Sequence, residues 1–175
     1  ALYPEEDLSA LFPILQQGGT DSAMLDNAAE FLMHAGLSGP TIKMLLVPEA
    51  FGPNTELSED VQAAYNFIDT LVEPWDGPNT TIIRDANSIT VGGDRNGYRP
   101  VRYYRTDQGY VVAGSEDGMI TDIGTVFEKG NLNPGEMLSV NFDDQSVVYS
   151  TELKARAAAE LKQIFGYDQV LDQIH

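Results

Sequence analysis

Two short stretches of this chain carry side chains whose types and spacing suggest ligand chemistry. In the first, Gly18 and Gly19 lead through Thr20 to Asp21, where the following apolar pattern predicts the start of a helix. A carboxylate there can cap the helix by accepting hydrogen bonds from backbone N–H groups. Turned outward, it can instead bind an ammonium group through charge-assisted hydrogen bonds. Capping is the commoner role, and the residues by themselves favour it.

The second stretch is the arginine-rich segment of residues 92–104. Its Asn96 and Gly97 predict a tight turn, because both residues tolerate positive φ. The segment and its flanks hold five of the ten basic residues in a chain of net charge −17. So much arginine in one place indicates either an anion site or a network of paired charges.

The charged residues at this turn are Asp94, Arg95, Arg99 and Arg102. Ion-pair networks are commoner than ligand sites. We therefore expect these four residues to be structural, with Arg–Asp pairs that pin a bent hairpin. Replacing Arg99 with alanine should then lower thermal stability.

The composition excludes several classes of function. The chain has no cysteine, which excludes disulfides, thiolate metal sites and a cysteine nucleophile within it. Its only histidines, His34 and His175, are predicted late in a helix and at the last position, so we assign no catalytic residue and no metal ligand. The net charge argues against nucleic acid and anionic membranes as partners. No apolar run approaches the roughly 18 residues that cross a bilayer, and we expect a cytoplasmic protein.

The elements that must position these residues follow from the hydrophobic pattern. Helices are predicted from Asp21 or Ser22 to Gly36, over residues 40–46, from a cap at Ser58 to Pro74, and over residues 151–166. Strands are predicted as three hairpins, which join residues 80–84 with 88–91, 101–106 with 110–113, and 136–142 with 146–150. Residues 116–134 are predicted to be a loop, and residues 167–175 one more helical turn.

This order of helices, antiparallel strands and a final helix predicts an α+β fold with helices packed on an antiparallel sheet. No linker or repeat divides the chain, so residues 1–175 are predicted to form a single domain. Before Arg84 there are thirteen acids and one base, Lys43, whereas the strand part carries the arginines. The two layers should therefore attract each other, although exposed pairs contribute little each.

Residues 94–103, which read DRNGYRPVRY, resemble the DRNGLRPARY segment in the glutaminase domain of the glutamate synthase large subunit. Other segments resemble the same family in the same order. They are residues 19–22 with 26–27 (GSDSxxxDN in the family), 48–51 (PEAW), 73–78 (MEPWDGPA), 113–118 (ASExG), 129–137 (KGRLxPGxM) and 152–154 (DxELK). Matches in this order over residues 19–154 identify the chain as a member of that family.

The resemblance implies a class II amidotransferase with an N-terminal-nucleophile fold, of which this chain would be the C-terminal half and part of the four αββα layers. It implies that Asp21 binds the α-amino group of glutamine, with Gly19 and Thr20 beside it. In the family, an N-terminal cysteine is the nucleophile and an HNGEIN segment supplies the oxyanion hole. Neither is present here, and Asn96 with Gly97 belongs to a different motif. We therefore expect the isolated chain to be inactive.

The parent reaction that the resemblance implies is hydrolysis of glutamine to glutamate and ammonia, followed by amination of 2-oxoglutarate in a domain with FMN and an iron–sulfur cluster. Neither cofactor is expected on this chain. The expected partners are glutamine, the remaining half of the glutaminase domain and the synthase domain. Without them, an exposed strand edge should cause self-association. Two alternatives stay open: a non-catalytic binding or regulatory module that keeps the scaffold, and a class II amidotransferase of the phosphoribosyl-pyrophosphate type.

Overall fold

The computed structural model describes residues 11–52, 56–118 and 120–167, which contain four helices and seven strands. The helices are α1 (Asp21–His34), α2 (Gly39–Leu46), α3 (Glu59–Leu71) and α4 (Ser150–Phe165). The strands are β1 (Thr80–Arg84), β2 (Ser88–Gly93), β3 (Val101–Thr106), β4 (Val111–Gly114), β5 (Val126–Leu132), β6 (Met137–Asn141) and β7 (Val147–Tyr149). Within these ranges, no helix has both the length and the apolar character needed to cross a membrane. The helical turn expected over residues 168–175, with His175, lies outside the described residues.

The strands form two antiparallel sheets, whereas the hairpin pattern by itself indicated one antiparallel sheet. The first sheet has the order β1-β2-β6-β7 and the second has the order β4-β3-β5. All three predicted hairpins are present. The first sheet depends on the pairing of β2 with β6, in which Gly92 lies opposite Met137. Residues so far apart in the chain carry no local signal that they pair, so hairpin patterns could not divide the strands between two sheets.

The prediction of a loop over residues 116–134 is wrong for its second half, which contains β5. This strand pairs with β3 along its length. Its sequence, VFEKGNL, holds Glu, Lys, Gly and Asn, which are depleted in strands. Gly130 leaves room for a neighbour, because a Cβ there would come 2.7 Å from the hydroxyl of Tyr103. The pairing with β3 therefore makes this segment a strand, and the residue types of β5 do not predict it.

Helix α2 is the centre of the core, and all eight of its residues are buried. It packs against α1, α4 and the strands β1 and β2. Glu160 of α4 lies at its N-terminal end, where the carboxylate accepts hydrogen bonds from the N–H of Ser38 at 2.9 Å and the hydroxyl of Thr41 at 2.5 Å. A carboxylate at this end satisfies polar groups that the helix leaves unpaired and complements its dipole.

Helix α1 ends at a glycine, as the sequence predicts. Gly36 has a φ of +91°, and the N–H groups of Gly36 and Leu37 donate to the carbonyls of Met33 and Leu32 at 2.9 and 3.1 Å. This pair of bonds is the Schellman arrangement. Leu32 is the most deeply buried residue of α1, and Leu25, Ala28 and Ala29 pack on the core beside it.

A group of buried charged side chains lies between α2, α4 and the first sheet. Lys43 is 1% exposed, and its Nζ donates to the carbonyl oxygen of Gly135 at 2.9 Å. The Nζ of Lys154 lies 2.5 Å from Oε2 of Glu49, and both of these side chains are buried. Burial, together with repulsion from Lys154, lowers the pKa of Lys43 to about 7 against the attraction of Glu49 and Asp94. Lys43 is therefore only partly charged near neutral pH.

Replacing Lys43 with methionine should make the stability of the fold less dependent on pH. Because the pKa of Lys43 is lower in the folded chain than in the unfolded chain, the unfolded chain binds an extra proton between pH values of about 7 and 10.5. The stability of the wild type therefore falls as the pH decreases through this window. Lys43→Met should remove that dependence, because methionine binds no proton in either state.

Urea denaturation at several pH values across the same window measures the pH dependence of the wild type and of the variant. Lys129→Met is the matched control, because Lys129 is exposed on β5 and its replacement should change stability by no more than about 0.5 kcal/mol. An equal pH dependence in the wild type and in Lys43→Met would contradict the lowered pKa.

Candidate functional site

The start of α1 presents Asp21 at the surface without using it as the helix cap. The cap is Thr20, whose Oγ1 accepts a hydrogen bond from the N–H of Ala23 at 3.3 Å. Asp21 is the first residue of the helix, and its side chain is exposed. The prediction that Asp21 or Ser22 caps α1 is therefore wrong. The physical reason is that Thr20 has the extended backbone of a cap residue, with φ of −73° and ψ of 158°, whereas Asp21 is already helical.

Two glycines shape the turn that precedes this cap. Gly18 has a φ of +77°, a conformation that other residues rarely adopt. The N–H of Gly19 donates to the carbonyl oxygen of Gln16 at 3.0 Å, and a Cβ on Gly19 would lie 3.1 Å from that oxygen. The chain can therefore reverse closely enough to bring Thr20 to the cap position.

Trp75 joins the start of α1 to the core. Its indole Nε1–H donates to the backbone carbonyl of Asp21 at 3.3 Å. Its backbone N–H donates to the carbonyl of Leu46, at the end of α2, at 2.9 Å. The ring is partly buried against the hydrophobic core. The corner after α3 therefore connects the first residue of α1 with the last residue of α2.

Asp76, the next residue, connects this corner to the arginine-rich turn. Its Oδ1 accepts hydrogen bonds from the N–H of Gly77 at 2.6 Å and from Nδ2 of Asn96 at 2.9 Å. Gly77 has a φ of +109°. Asp21, the corner and Asn96, which are far apart in the chain, are thus joined by one continuous series of bonds.

Asp94 holds the arginine-rich turn together through the backbone. Its buried carboxylate accepts hydrogen bonds from the N–H groups of Asn96 at 3.0 Å, Tyr98 at 2.9 Å and Arg99 at 2.8 Å. Burial alone would raise the pKa of Asp94, but these N–H groups lower it further than burial raises it. The partners of the carboxylate are therefore amides, and this differs from the Arg–Asp pairs that we expected.

The arginines use other partners. Arg102 lies 3.3 Å from Asp117 at the surface, and Arg105 lies 2.9 Å from Glu128 on β5. Arg99 is exposed. Among the described residues, the ion pairs of this segment are these two. Asp94 takes part in neither, because three amides already occupy its oxygens.

The loop after α2 and the loop before β6 complete the region. The N–H of Gly135 donates to the carbonyl of Asp94 at 2.9 Å, and the N–H of Ala50 to the carbonyl of Arg95 at 3.4 Å. A Cβ on Gly135 would come 1.9 Å from the Cβ of Glu49, so only glycine fits there. Five of the segments on which the resemblance rests therefore meet in one region: residues 19–22, 48–51, 73–78, 94–103 and 129–137.

Sequence reasoning missed Trp75, Asp76 and Glu49 as contact residues. All three lie in segments of the resemblance, but no local pattern indicates which distant residues they bind. Chemically, the region offers the exposed carboxylate of Asp21 at the start of α1, and it contains no cysteine nucleophile. Within the described ranges, no group of three or more His, Cys, Asp or Glu side chains could hold a metal ion.

The chain matches the glutamine amidotransferases of class II over residues 2–164, and it belongs to that family. It is similar to the glutamate synthase [NADPH] large chain of Bacillus subtilis (strain 168), with 39% identity over 171 residues, 97% of this chain and 11% of that protein. The large chain of the Azospirillum brasilense enzyme is 38% identical over 149 residues, 85% of this chain and 10% of that protein.

A ferredoxin-dependent relative is similar to the same extent. Ferredoxin-dependent glutamate synthase 2 of Synechocystis is 38% identical over 160 residues, 89% of this chain and 10% of that protein. The chain thus spans about a tenth of the length of these curated relatives. The resemblance to glutamate synthases that the motifs indicated is confirmed.

Replacing Asp94 and replacing Arg99 should have very different effects on stability. Asp94→Ala leaves three partly buried N–H groups without their charged acceptor, and we expect a loss of about 3 kcal/mol in the free energy of unfolding. Arg99→Ala should change it by no more than about 0.5 kcal/mol, because that side chain is exposed. From the sequence alone, we expected Arg99→Ala to lower stability; with the side chain exposed, we now expect little change.

Urea denaturation of the two variants beside the wild type measures the difference. Each variant is the control for the other, because both lie on one turn. Equal losses would mean that guanidinium pairs, rather than the amides around Asp94, hold the turn.

Proposed function

We propose that this chain is the C-terminal part of the glutaminase domain of a glutamate synthase, with residues 11–167 in one domain and in part of a four-layer αββα fold. The activity to which it contributes is hydrolysis of glutamine to glutamate and ammonia for the amination of 2-oxoglutarate. The observation that carries the proposal is the exposed carboxylate of Asp21, which is spared from capping by Thr20. Similarity to glutamate synthase large chains over most of this sequence supports it.

In this proposal, Asp21 binds the α-amino group of glutamine. An ammonium group and a carboxylate form charge-assisted hydrogen bonds, which are stronger than neutral ones. The backbone of Asp21 is held in place by Trp75, whose indole Nε1–H donates to the Asp21 carbonyl at 3.3 Å. Gly19 and Thr20 shape the turn beside it and line the same end of the helix.

The chain supplies binding rather than the attacking group. Amide hydrolysis of this class needs an activated nucleophile and a set of donors for the oxyanion, and this sequence has no cysteine. We propose that the thiolate, its base and the oxyanion donors come from outside this chain, so that the isolated chain is inactive. Iron–sulfur clusters also need cysteine thiolates; in this proposal the cluster and FMN belong to other parts of the synthase.

Asp21→Asn in the native protein that carries this chain should impair glutamine binding. The change removes the charge that pairs with the ammonium group and nearly conserves shape. A loss of about 3 kcal/mol would raise the KM for glutamine roughly 100-fold, with a smaller change in kcat. The rate with ammonia as the nitrogen donor should be unaffected, because it bypasses glutamine hydrolysis.

Glu30→Gln is the matched control, because Glu30 is another exposed acid on α1, and its Oε1 lies 3.7 Å from Nε2 of His34. It should leave the KM unchanged. An unaltered KM in Asp21→Asn would reject the role of Asp21. A native protein that binds glutamine without hydrolysing it would favour the binding-module alternative.

We also propose that the rest of the domain covers strand β1. It is an edge strand of the first sheet, and its Ile82 is 57% exposed. Thr81, Ile82 and Ile83 form one wall of a groove whose other wall is α1. Unpaired strand edges and exposed apolar side chains favour association.

The isolated chain should therefore self-associate, and more strongly at high salt, because salt screens the repulsion between chains of net charge −17. Ile82→Lys should weaken the association, because a charge on an edge strand opposes pairing. Sedimentation equilibrium measures it, and Leu71→Lys, which changes an exposed residue at the end of α3, is the control. A monomeric wild type at all salt concentrations would contradict the proposal.

A further inference from the structure

Helix α1 packs on the core from Leu25 onward, but its first residues are exposed. Its most deeply buried residue is Leu32, near the C-terminal end, whereas Leu25 is only partly buried and Asp21 is at the surface. Asp21 lies eleven residues earlier, which at 1.5 Å per residue is roughly 16 Å along the helix axis. A tilt of only about 4° around the buried end would therefore move Asp21 by about 1 Å.

The packing of Leu25 on the core and one hydrogen bond at the first turn oppose that tilt. Among the described residues, the hydrogen bond from the Trp75 indole to the Asp21 carbonyl is the one that joins the first turn of α1 to another element. Trp75 can serve as an anchor, because its backbone is bonded to the end of α2 and its ring packs on the core. Its neighbour Asp76 is bonded to the turn at Asn96.

We propose that Trp75 is a positioning residue for ammonium recognition. It holds the backbone of Asp21 and thereby sets the position of the Asp21 carboxylate. The inference rests on the proposed role of Asp21 in binding the α-amino group of glutamine. Trp75 acts at a distance from the substrate, and its indole N–H determines where the charge of Asp21 lies. A misplacement of about 1 Å can cost as much as 100-fold in an enzyme reaction, so a contact of this kind has a measurable effect.

Trp75→Phe tests the inference in the native protein. Phenylalanine keeps an aromatic ring against the core and removes the indole N–H. We expect the KM for glutamine to rise about tenfold, with kcat changed less than twofold and the ammonia-dependent rate unchanged. In the Asp21→Asn background the same replacement should change the KM by less than twofold, because the group that Trp75 positions no longer carries charge.

A stability effect is separated from a positioning effect by a second variant. Val148→Ala removes buried methyl groups in β7, far along the chain from this corner, and should lower the unfolding temperature without a change in KM. If Val148→Ala raises the KM as much as Trp75→Phe does, the effect is one of general stability and the inference is wrong.

The remaining outcomes distinguish the inference from the function on which it rests. An unchanged KM in Trp75→Phe, beside a raised KM in Asp21→Asn, overturns the positioning role and leaves the role of Asp21 intact. An equal effect of Trp75→Phe with and without Asp21→Asn shows that Trp75 does not act through Asp21, and it overturns the inference too. An unaltered KM in both single variants overturns the proposed function together with the inference.

Discussion

The buried carboxylate of Asp94 needs hydrogen-bond partners where it lies, because an unpaired charge in the interior is strongly unfavourable. Three amides of residues 96–99 provide them, and in doing so they bend the chain into the turn that leads from the first sheet to the second. The carbonyls of Asp94 and Arg95 are then placed to accept hydrogen bonds from Gly135 and Ala50. The loop before β6 and the loop after α2 therefore depend on the same carboxylate.

Buried charged side chains are closely packed in the region behind this turn. A Cβ on Gly92 would come 2.4 Å from the Cε of Lys43, and a Cβ on Gly135 would overlap Glu49. The two glycines leave the space in which Lys43 and the pair of Lys154 and Glu49 lie. This buried group joins α2, α4 and the turn. By contrast, the first turn of α1 is exposed. One indole hydrogen bond joins it to that support, and Leu25 packs on the core one turn further along.

Local signals in the sequence predicted the elements well where the physical cause is local. The glycine at the end of α1, the cap at Ser58 and the three hairpins depend on residues a few positions apart. Strand β5 was missed, because its residues are poor strand formers and only pairing with β3 makes it a strand. The cap of α1 was misplaced by one or two residues, because Thr20, Asp21 and Ser22 are all good caps and backbone conformation decides between them.

The sequence by itself determined the family, through ordered segments, and it determined that no cysteine nucleophile lies in this chain. Through the same resemblance it predicted Asp21 as the residue that binds an ammonium group, and this stays a prediction. Only the tertiary structure decided that Asp21 is spared from capping, that Asp94 binds amides instead of arginines, and that Trp75 reaches the start of α1. Those contacts join residues that are distant in the chain or compete for the same role. These contacts form only when the helices and sheets pack together, and a local pattern of residues does not specify that packing.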